Sequence, residues 1–260
     1  MNASFDIAAA TYDQTFTHTV IGRLQRDLVY RHMTEALCNS TIHSILEINC
    51  GTGEDAIWLS QQGYQITATD ISEQMIITAR QKDTVGTITF RQADINTLPA
   101  TFPNQTFDAL FSDFGGLNCL SEPELEAFFE NANRLVNPNG QLFLVIMPQN
   151  TVWEQLYFLL KGQWKEAFRR KRDKAIANVD GEAVATYYYN PATIKRMAQR
   201  HFAVTHIKPV GFFIPPSYLE PFVKDKKRLT AVLGSLENTI RNIRFLSRYS
   251  DHYFIALQKR

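Results

Sequence analysis

Short β-rich runs alternate with helical patterns between Ile42 and Met147. The runs predict strands at 44–48, 65–69, 88–91, 107–112 and 141–146, and the patterns between them predict helices at 55–62, 73–81 and 122–135. Such alternation is typical of βαβ units and a parallel sheet. The sequence therefore predicts an α/β fold, and Ser72 is a plausible N-cap for the second of these helices.

Further elements are predicted on both sides of this alternation. A helix is expected at 18–38, and apolar residues at three- and four-residue steps predict another from 153 to 168. The sheet is expected to resume at 184–189. Later expectations are a helix at 191–200, a strand at 204–214, a helical region at 219–246 kinked at Pro221, and a closing strand at 252–257.

Length and composition set the class of protein. A chain of 260 residues is close to the upper size of one domain, so we expect a single domain over 1–260. The balance of 27 Lys and Arg against 26 Asp and Glu gives a net charge of +1, so any nucleic-acid or membrane partner requires a local patch. Three cysteines without pair or metal spacing indicate a reducing compartment, and a cytoplasmic location is expected.

A turn of small residues between the first strand and the first core helix carries the strongest chemical signal. Gly51 and Gly53 allow the main chain to approach a ligand and to adopt conformations closed to residues with a Cβ. The amides at the start of the following helix can donate hydrogen bonds. Asn49 tolerates positive φ better than most residues. Close backbone contact with a ligand is therefore predicted here.

Two acidic residues follow the next two strands. Asp70 ends the second strand, where a carboxylate can accept hydrogen bonds from ribose hydroxyls. Asp94 follows the third strand and could accept from the exocyclic amino group of adenine. A nicotinamide-dinucleotide site also places an acid about 20 residues after its glycines, and Ala56 can stand for the last glycine of its pattern, so spacing alone leaves that alternative open.

The segment around this turn resembles the first motif of class I S-adenosylmethionine-dependent methyltransferases, in which an acid precedes three alternate glycines. Glu47, Asn49, Gly51 and Gly53 occupy those four places, with Asn49 in place of the first glycine. The resemblance extends over about 42–147. It implies a doubly wound, Rossmann-like, mainly parallel seven-stranded sheet with an antiparallel last strand, and S-adenosylmethionine as cofactor.

The resemblance also implies roles for residues after each strand. Asp70 would hold the ribose, Asp94 with Ile95 the adenine, and Ser112 with Asp113 would border the sulfonium. Ile71 and Met75, which come after Asp70, are assigned to the same cofactor site.

The N-terminal run resembles the opening of quinone-biosynthesis and malonyl carrier-protein methyltransferases at Phe5, Ala9, Tyr12 and Asp13. In those enzymes this segment closes over the cofactor, so Tyr12 is a candidate contact to the methionine end. This run, Glu47 and Asp94 favour a methyltransferase over a nicotinamide enzyme. Within the single domain we therefore expect an N-terminal cap at 1–40, a cofactor-binding core at 42–148, and helical insertions at 151–185 and 215–250 that form an acceptor lid.

The segment after the fourth strand bears on the identity of the acceptor. Methyltransferases of nucleic-acid base amines usually have Asp or Asn, two prolines and an aromatic there, whereas this chain has Ser112 to Asn118 without proline. We expect methyl transfer to a small or carrier-bound acceptor. An RNA methyltransferase and a non-catalytic methyltransferase-like binding module remain as alternatives.

Several residues are candidates for acceptor chemistry. A base that removes the acceptor's proton could be Asp113, His18 or one of Tyr187 to Tyr189. Lid candidates are Trp153, Tyr157, Trp164 and 212–214. The basic run at 161–174 has a net charge of +5 and could contact a carrier protein, an acyl phosphate or an anionic membrane surface, or simply form a solvated helix face.

Overall fold

The computed structural model describes residues 3–38, 40–172, 174–179 and 182–260. The strands are β1 (Ser44–Ile48), β2 (Gln65–Asp70), β3 (Thr89–Gln92), β4 (Phe107–Ser112), β5 (Val136–Ile146), β6 (Ala175–Val179), β7 (Glu182–Thr186), β8 (Phe202–Val210) and β9 (His252–Lys259). The helices are α1 (Ala3–Ala8), α2 (Val20–Leu37), α3 (Glu54–Gln61), α4 (Glu73–Lys82), α5 (Leu98–Thr101), α6 (Glu122–Leu135), α7 (Val152–Leu160), α8 (Trp164–Ala167), α9 (Pro191–Ala198), α10 (Glu220–Val223) and α11 (Lys227–Ile240).

Seven strands form one sheet in the order β3-β2-β1-β4-β5-β9-β8. β1 to β5 are parallel, and β9 runs antiparallel to both β5 and β8. The order reverses between β1 and β4, which is the point where open α/β sheets bind ligands beyond the carboxyl ends of their strands. The predicted α/β fold, with its mainly parallel sheet and antiparallel last strand, is confirmed.

Helices cover both faces of the sheet, which explains why its central strands are apolar without interruption. In β5, Leu142 and Leu144 pack into one core together with α6 and α9, whereas Phe143 and Val145 pack into the other with α2, α3 and α4. Successive side chains of a strand point to opposite faces, so a strand buried on both sides needs an apolar residue at every position.

Local capping explains two helix boundaries. The hydroxyl of Ser72 accepts a hydrogen bond from the amide of Met75 (3.1 Å), so its predicted N-cap role at α4 is confirmed. Ser121 and Glu124 form a capping box at the start of α6. Both helices begin where a side chain satisfies amides that have no partner inside the helix.

Two predictions about the region after the core were wrong. Residues 184–189 do not resume the main sheet, because β7 pairs with β6 in a separate antiparallel hairpin. The neighbouring segment supplied a local partner that the sequence pattern did not reveal. The predicted helix from 153 to 168 is broken into α7 and α8 by Gly162, which has a φ of +69°.

The C-terminal insertion also differs from its prediction. The strand expected at 204–214 ends at Val210, because Gly211 adopts a φ of +77°. The helical region at 219–246 consists of α10 and α11 followed by a 3-10 segment at 244–248, and its break falls at 224–226 rather than at Pro221. Pro221 lies in the first turn of α10, where a missing amide costs no hydrogen bond.

Two carboxylates attach this insertion to the core. Glu220 accepts from the amides of Val20 and Ile21 at the start of α2 (2.8 and 2.9 Å). Glu237 accepts from four consecutive amides, at residues 211–214, at 2.6–3.0 Å. Burial raises the pKa of Glu237, and these four hydrogen bonds oppose the rise. The insertion is therefore joined to the sheet by hydrogen bonds that a negative charge strengthens.

Candidate functional site

The turn between β1 and α3 contains three residues in the left-handed region. Asn49, Gly51 and Gly53 have φ values of +52°, +53° and +78°. A Cβ on Gly53 would lie 2.8 Å from the Cβ of Ala79, so the start of α3 can approach α4 only because this residue is glycine. The predicted glycine turn is present, and its backbone lies at the carboxyl edge of the sheet.

Asp70 organises this turn. Its two carboxylate oxygens accept hydrogen bonds from the amides of Gly51 and Ser72, both at 2.9 Å. Burial raises the pKa of Asp70, and the two amides oppose that rise. The carboxylate therefore ties the end of β2 to the glycine turn, at the place where the sequence predicts a ribose partner.

The other predicted nucleoside contacts lie along the same edge. Asp70 is in register with Gln92 at the end of β3, so Asp94 follows on the neighbouring strand. Asp94 is half-buried and caps the next turn by accepting from the amide of Asn96 (2.8 Å). Ile71 and Ile95 are half-buried. The structure therefore brings Asp70, Asp94 and the two isoleucines to one edge of the sheet.

Asn49 joins the turn after β1 to the segment after β4. Its amide nitrogen donates to the carbonyl of Asp113 (3.0 Å), and its amide oxygen accepts from the hydroxyl of Ser112 (2.7 Å). A Cβ on Gly116 would lie within 2.1 Å of this side chain, so the glycine at 116 makes room for it. The asparagine that replaces a glycine of the motif thus cross-links the two strands that border the site.

A buried group of charges lies behind the glycine turn. Arg26 of α2 bonds Asp55 of α3 at 2.8 Å, and Tyr30 donates to the same oxygen at 2.8 Å. Burial and the nearby carboxylates raise the pKa of Glu47 and of Asp113, Asp55 being the first of those carboxylates in both cases. Several carboxyl groups thus lie close to one arginine, which makes this part of the site suited to a cationic or zwitterionic ligand.

Arg26 was missed by the sequence reasoning. It lies on the buried face of α2 in line with Gly22, Val29 and Met33, so a charged residue at an apolar helical position was the available signal. Its guanidinium carbon lies 5.9 and 5.3 Å from the ring centres of Phe16 and Phe114. The aromatic rings and Asp55 fix this cation at the edge of the site.

Arg26 and Asp113 face a small cavity. It has a volume of about 30 Å³ and is also lined by Tyr12, Asn49 and the glycine turn. Among the residues that the structure describes, Arg26 Nη1 and Asp113 Oδ2 are buried without a hydrogen-bond partner. A free guanidinium donor and a free carboxylate oxygen are the groups that an amino acid's carboxylate and ammonium would satisfy.

The N-terminal segment, residues 3–17, covers this cavity and the adjoining edge. The ring of Tyr12 lies over Gly51, where a Cβ would be 3.8 Å from it. Burial raises the pKa of Tyr12. Met75 packs in one cluster with Phe5, Ala8, Ala9 and Tyr12.

Two aspartates fasten the N-terminal segment. Asp6 accepts from the hydroxyl of Ser72 at 2.5 Å. Asp13 accepts from Thr52 at 2.6 Å and pairs with Lys82 at 2.9 Å. Both contacts join residues before α2 to the turns after β1 and β2, so the segment is held closed.

The candidates for a base are dispersed. Asp113 borders the cavity, whereas His18 is exposed beside Asp13 and Glu54. Lys82 already pairs with both of those carboxylates, at 2.9 Å each. Of the three tyrosines, Tyr189 donates to the carbonyl of Leu120.

Tyr188 and Tyr187 have partners of their own. The ring of Tyr188 lies 5.0 Å from the guanidinium carbon of Arg170. Tyr187 exchanges backbone and side-chain hydrogen bonds with Asn118. These contacts account for Tyr187 to Tyr189 as packing residues, and Asp113 is the one candidate that faces the cavity.

The proposed lid residues fall into two groups. Trp153 and Tyr157 pack with Ile214 and α10, and the indole of Trp153 donates to the carbonyl of Phe213 (3.1 Å). Trp164, in contrast, is 67% exposed. The structure therefore unites Trp153, Tyr157 and the 212–214 loop, but not Trp164.

The basic run is not a uniform charged face. Arg169 pairs with the buried carboxylate of Glu154 at 2.7 Å. Arg170 is itself buried and pairs with both Glu154 (3.1 Å) and Asp251 (2.7 Å). Arg170 therefore connects the α7–α8 insertion to the residue before β9, and carboxylates of the fold compensate the charge of both arginines.

No helix in the described part of the chain is both long and apolar enough to cross a membrane.

Comparison with known proteins finds a family match for the central region of the chain. The family model described as "Methyltransferase domain" matches residues 45–140. The chain is 31% identical over 169 residues to the biotin biosynthesis bifunctional protein BioHC of Saccharophagus degradans, covering 63% of this chain and 26% of that protein. It is 27% identical over 164 residues to the malonyl-[acyl-carrier protein] O-methyltransferase of Erwinia pyrifoliae, covering 59% of this chain and 56% of that protein.

The fold has a counterpart among solved structures. Magnesium protoporphyrin IX methyltransferase from Synechocystis, with bound S-adenosylhomocysteine, aligns with a TM-score of 0.59 over 93% of this chain and 86% of that one, at 15% identity. At this identity the likeness concerns the fold. The two curated relatives match over 26% and 56% of their own lengths, so they resemble this chain in only part of their sequences.

Proposed function

Because this chain belongs to the class I S-adenosylmethionine-dependent methyltransferases, we propose that it transfers a methyl group from that cofactor to a small or carrier-bound acceptor. The observation that carries the proposal is the turn after β1, where Asp70 holds Gly51 beside a cavity with a free arginine donor and a free carboxylate oxygen. A ribose diol at Asp70 and an amino acid in the cavity would together occupy both halves of this site.

In this proposal the cofactor's two halves are held by different residues. Asp70 would accept from the ribose hydroxyls and Asp94 from the adenine amino group, with Ile71, Ile95 and Met75 against the base. Arg26 would bind the methionine carboxylate, and Asp113 with Glu47 would face its ammonium group. Tyr12 would close over the methionine end, and Ser112 with Asn49 would shape the wall beside the sulfur.

The chain's contribution to the reaction is positioning and exclusion of water. When bound, the cofactor would supply an electrophilic methyl group: an acceptor's lone pair would attack the methyl carbon in line as the carbon–sulfur bond breaks, and the electron pair of that bond would leave on the sulfur of S-adenosylhomocysteine. The N-terminal segment would keep water out of the site. In this proposal the carboxyl edge of the sheet would hold the cofactor, and the insertions would form the side of the site that faces the acceptor.

A carrier-bound acceptor is supported by one relative. The Erwinia protein is named for a malonyl group on an acyl-carrier protein, and it matches 59% of this chain. An RNA acceptor has less support, because the net charge is +1 and two of the arginines in the basic run are paired inside the fold. A binding module without turnover would keep the contacts to the cofactor but would release no S-adenosylhomocysteine.

The cofactor assignment is tested by calorimetric titration with S-adenosylmethionine and S-adenosylhomocysteine, with a nicotinamide dinucleotide as control. Asp70→Asn should weaken both by about a hundredfold, because two charge-assisted hydrogen bonds are affected. Asp225→Ala, at an exposed position on the insertion, is the matched control and should bind normally. Saturable binding of the dinucleotide, with neither sulfur compound bound, would refute the proposal.

The role of Arg26 has a separate test. Arg26→Met should weaken S-adenosylhomocysteine binding about tenfold or more but leave 5′-methylthioadenosine, which lacks the amino acid, unaffected. Equal weakening of both ligands would mean that Arg26 supports the fold rather than the carboxylate. Turnover of small or carrier-bound acceptors without polynucleotide would then separate the proposed enzyme from the RNA and non-catalytic alternatives.

A further inference from the structure

One face of α7 is apolar and becomes more exposed toward the C-terminal end of the helix. Val152, Leu156 and Leu160 recur every four residues on α7, which places them on one side of the helix, and they are 40%, 50% and 80% exposed. Beyond the break at Gly162, Trp164 and Phe168 are also exposed, at 67% and 40%. We call residues 156–172 the α7–α8 tip. Its most exposed large apolar side chains are Leu160 and Trp164.

Exposed cations surround these apolar side chains. Within the tip, Lys161, Lys165, Lys171 and Arg172 are exposed, and Lys174 is exposed just beyond it. Glu166 is the acidic residue among the described residues 161–172, and its closest approach to Arg172 is 3.9 Å. Arg169 and Arg170 are not part of this free charge, because Glu154 and Asp251 pair with them. The tip therefore carries excess positive charge around an exposed apolar end.

The base of the tip is firmly attached. Arg170 donates to the carboxylate and carbonyl of Asp251 (2.7 and 3.1 Å), and the indole of Trp153 donates to the 212–214 loop. Burying Leu160 and Trp164 in another phase would therefore require no disruption of the core. Exposed apolar area with a fixed base is typical of an interaction surface.

We propose that the α7–α8 tip docks this protein onto an anionic membrane surface. Leucine and tryptophan would enter the headgroup–acyl boundary, where tryptophan is enriched, while the lysines extend their ammonium groups to anionic headgroups. An acidic carrier protein would also pair with the lysines, but pairing alone leaves a leucine that is 80% exposed in water. The inference does not depend on methyl transfer.

Vesicle flotation and tryptophan fluorescence test this proposal on the full chain. The protein should float with vesicles containing phosphatidylglycerol, and less with pure phosphatidylcholine or at high salt. Phosphatidylglycerol vesicles with brominated acyl chains should quench part of the tryptophan emission. Trp164→Phe should remove that quenching, because Trp58 is stacked on Tyr30 and Trp153 is bonded within the fold.

Matched variants separate docking from general effects. Leu160→Glu should lower the partition coefficient at least tenfold, whereas Val85→Glu, at an apolar position 78% exposed elsewhere, should leave it unchanged. Lys161→Glu with Lys165→Glu should lower it similarly, and Lys195→Glu with Arg196→Glu on α9 should not. Thermal unfolding checks that each variant is folded.

Three outcomes would overturn the proposal. These are failure of the wild type to float with anionic vesicles, flotation that Leu160→Glu leaves unchanged, and binding of an acidic acyl-carrier protein through the tip without vesicle binding.

Discussion

Replacing Glu237 by glutamine is expected to destabilise the protein far more than any exposed Glu→Gln change. One carboxylate oxygen accepts from the amides of Gly211 and Phe212, both at 3.0 Å, and the other from Phe213 and Ile214 at 2.6 and 3.0 Å. Glutamine retains one acceptor oxygen and places its NH₂ group, which is a donor, against two of the four backbone N–H groups. Two charge-assisted hydrogen bonds are lost, each worth about 1.5–3 kcal/mol, so we expect a loss of about 3–5 kcal/mol.

The assay is thermal unfolding at neutral pH. A loss of this size corresponds to a midpoint about 6–20 °C lower for a chain of this length. Glu126→Gln is the control, because that exposed carboxylate lies 3.7 Å from Arg196 and such surface pairs contribute about 0–1 kcal/mol. Chymotrypsin should also cut Glu237→Gln beside Phe212 or Phe213. A midpoint within about 1 °C of the wild type would refute the claim that an ionised carboxylate holds this loop.

Two other substitutions test buried positions. Burial, with the charge of Lys208 adding to it, lowers the pKa of His32 from 6.5 to about 4. As the pH falls from 6.5 to 4, the unfolded chain therefore binds a proton at His32 that the folded chain does not bind. The free energy of unfolding decreases over that window by on the order of 3 kcal/mol. His32→Gln, which can still donate to Pro209, should remove this part of the pH dependence in urea unfolding, and an unchanged profile would contradict the assignment. Gly53→Ala places a Cβ 2.8 Å from the Cβ of Ala79 at a φ of +78°. We expect this variant to lose about 1–3 kcal/mol of the free energy of unfolding and to bind the cofactor more weakly in calorimetry. In the control Gly86→Ala, the new Cβ meets no atom within 4 Å, so only the cost of the positive φ should appear and cofactor binding should be unchanged.

The sequence predicted the parts of the fold that local patterns determine. Strand–turn–helix alternation and the Ser72 cap depend on residues close in the chain, and both were confirmed. The separate β6–β7 hairpin depended on which segments met in space. The break between α7 and α8 has a local cause, because Gly162 at positive φ ended a helix that apolar spacing would have continued.

The candidate site shows the same division. The glycine turn was predictable from the first motif, and Asp70 was predictable because it ends the next strand along the chain. Arg26 was not, because it reaches the cavity from α2 and its partner Asp55 is 29 positions away. Its role depends on how α2 packs beside α3 on one face of the sheet, and the only local sign was a charge on an apolar face.

The closed N-terminal segment has a consequence for the order of events in the proposed reaction. A cavity of about 30 Å³ is too small for the methionine end of the cofactor while Tyr12 lies over Gly51, so each exchange of cofactor would require Asp13 to leave Thr52 and Lys82. Cofactor would then bind first, and its spent form would leave last, after the segment detaches. Every turnover would then include the opening of a few part-buried hydrogen bonds, in addition to bond-making at the acceptor.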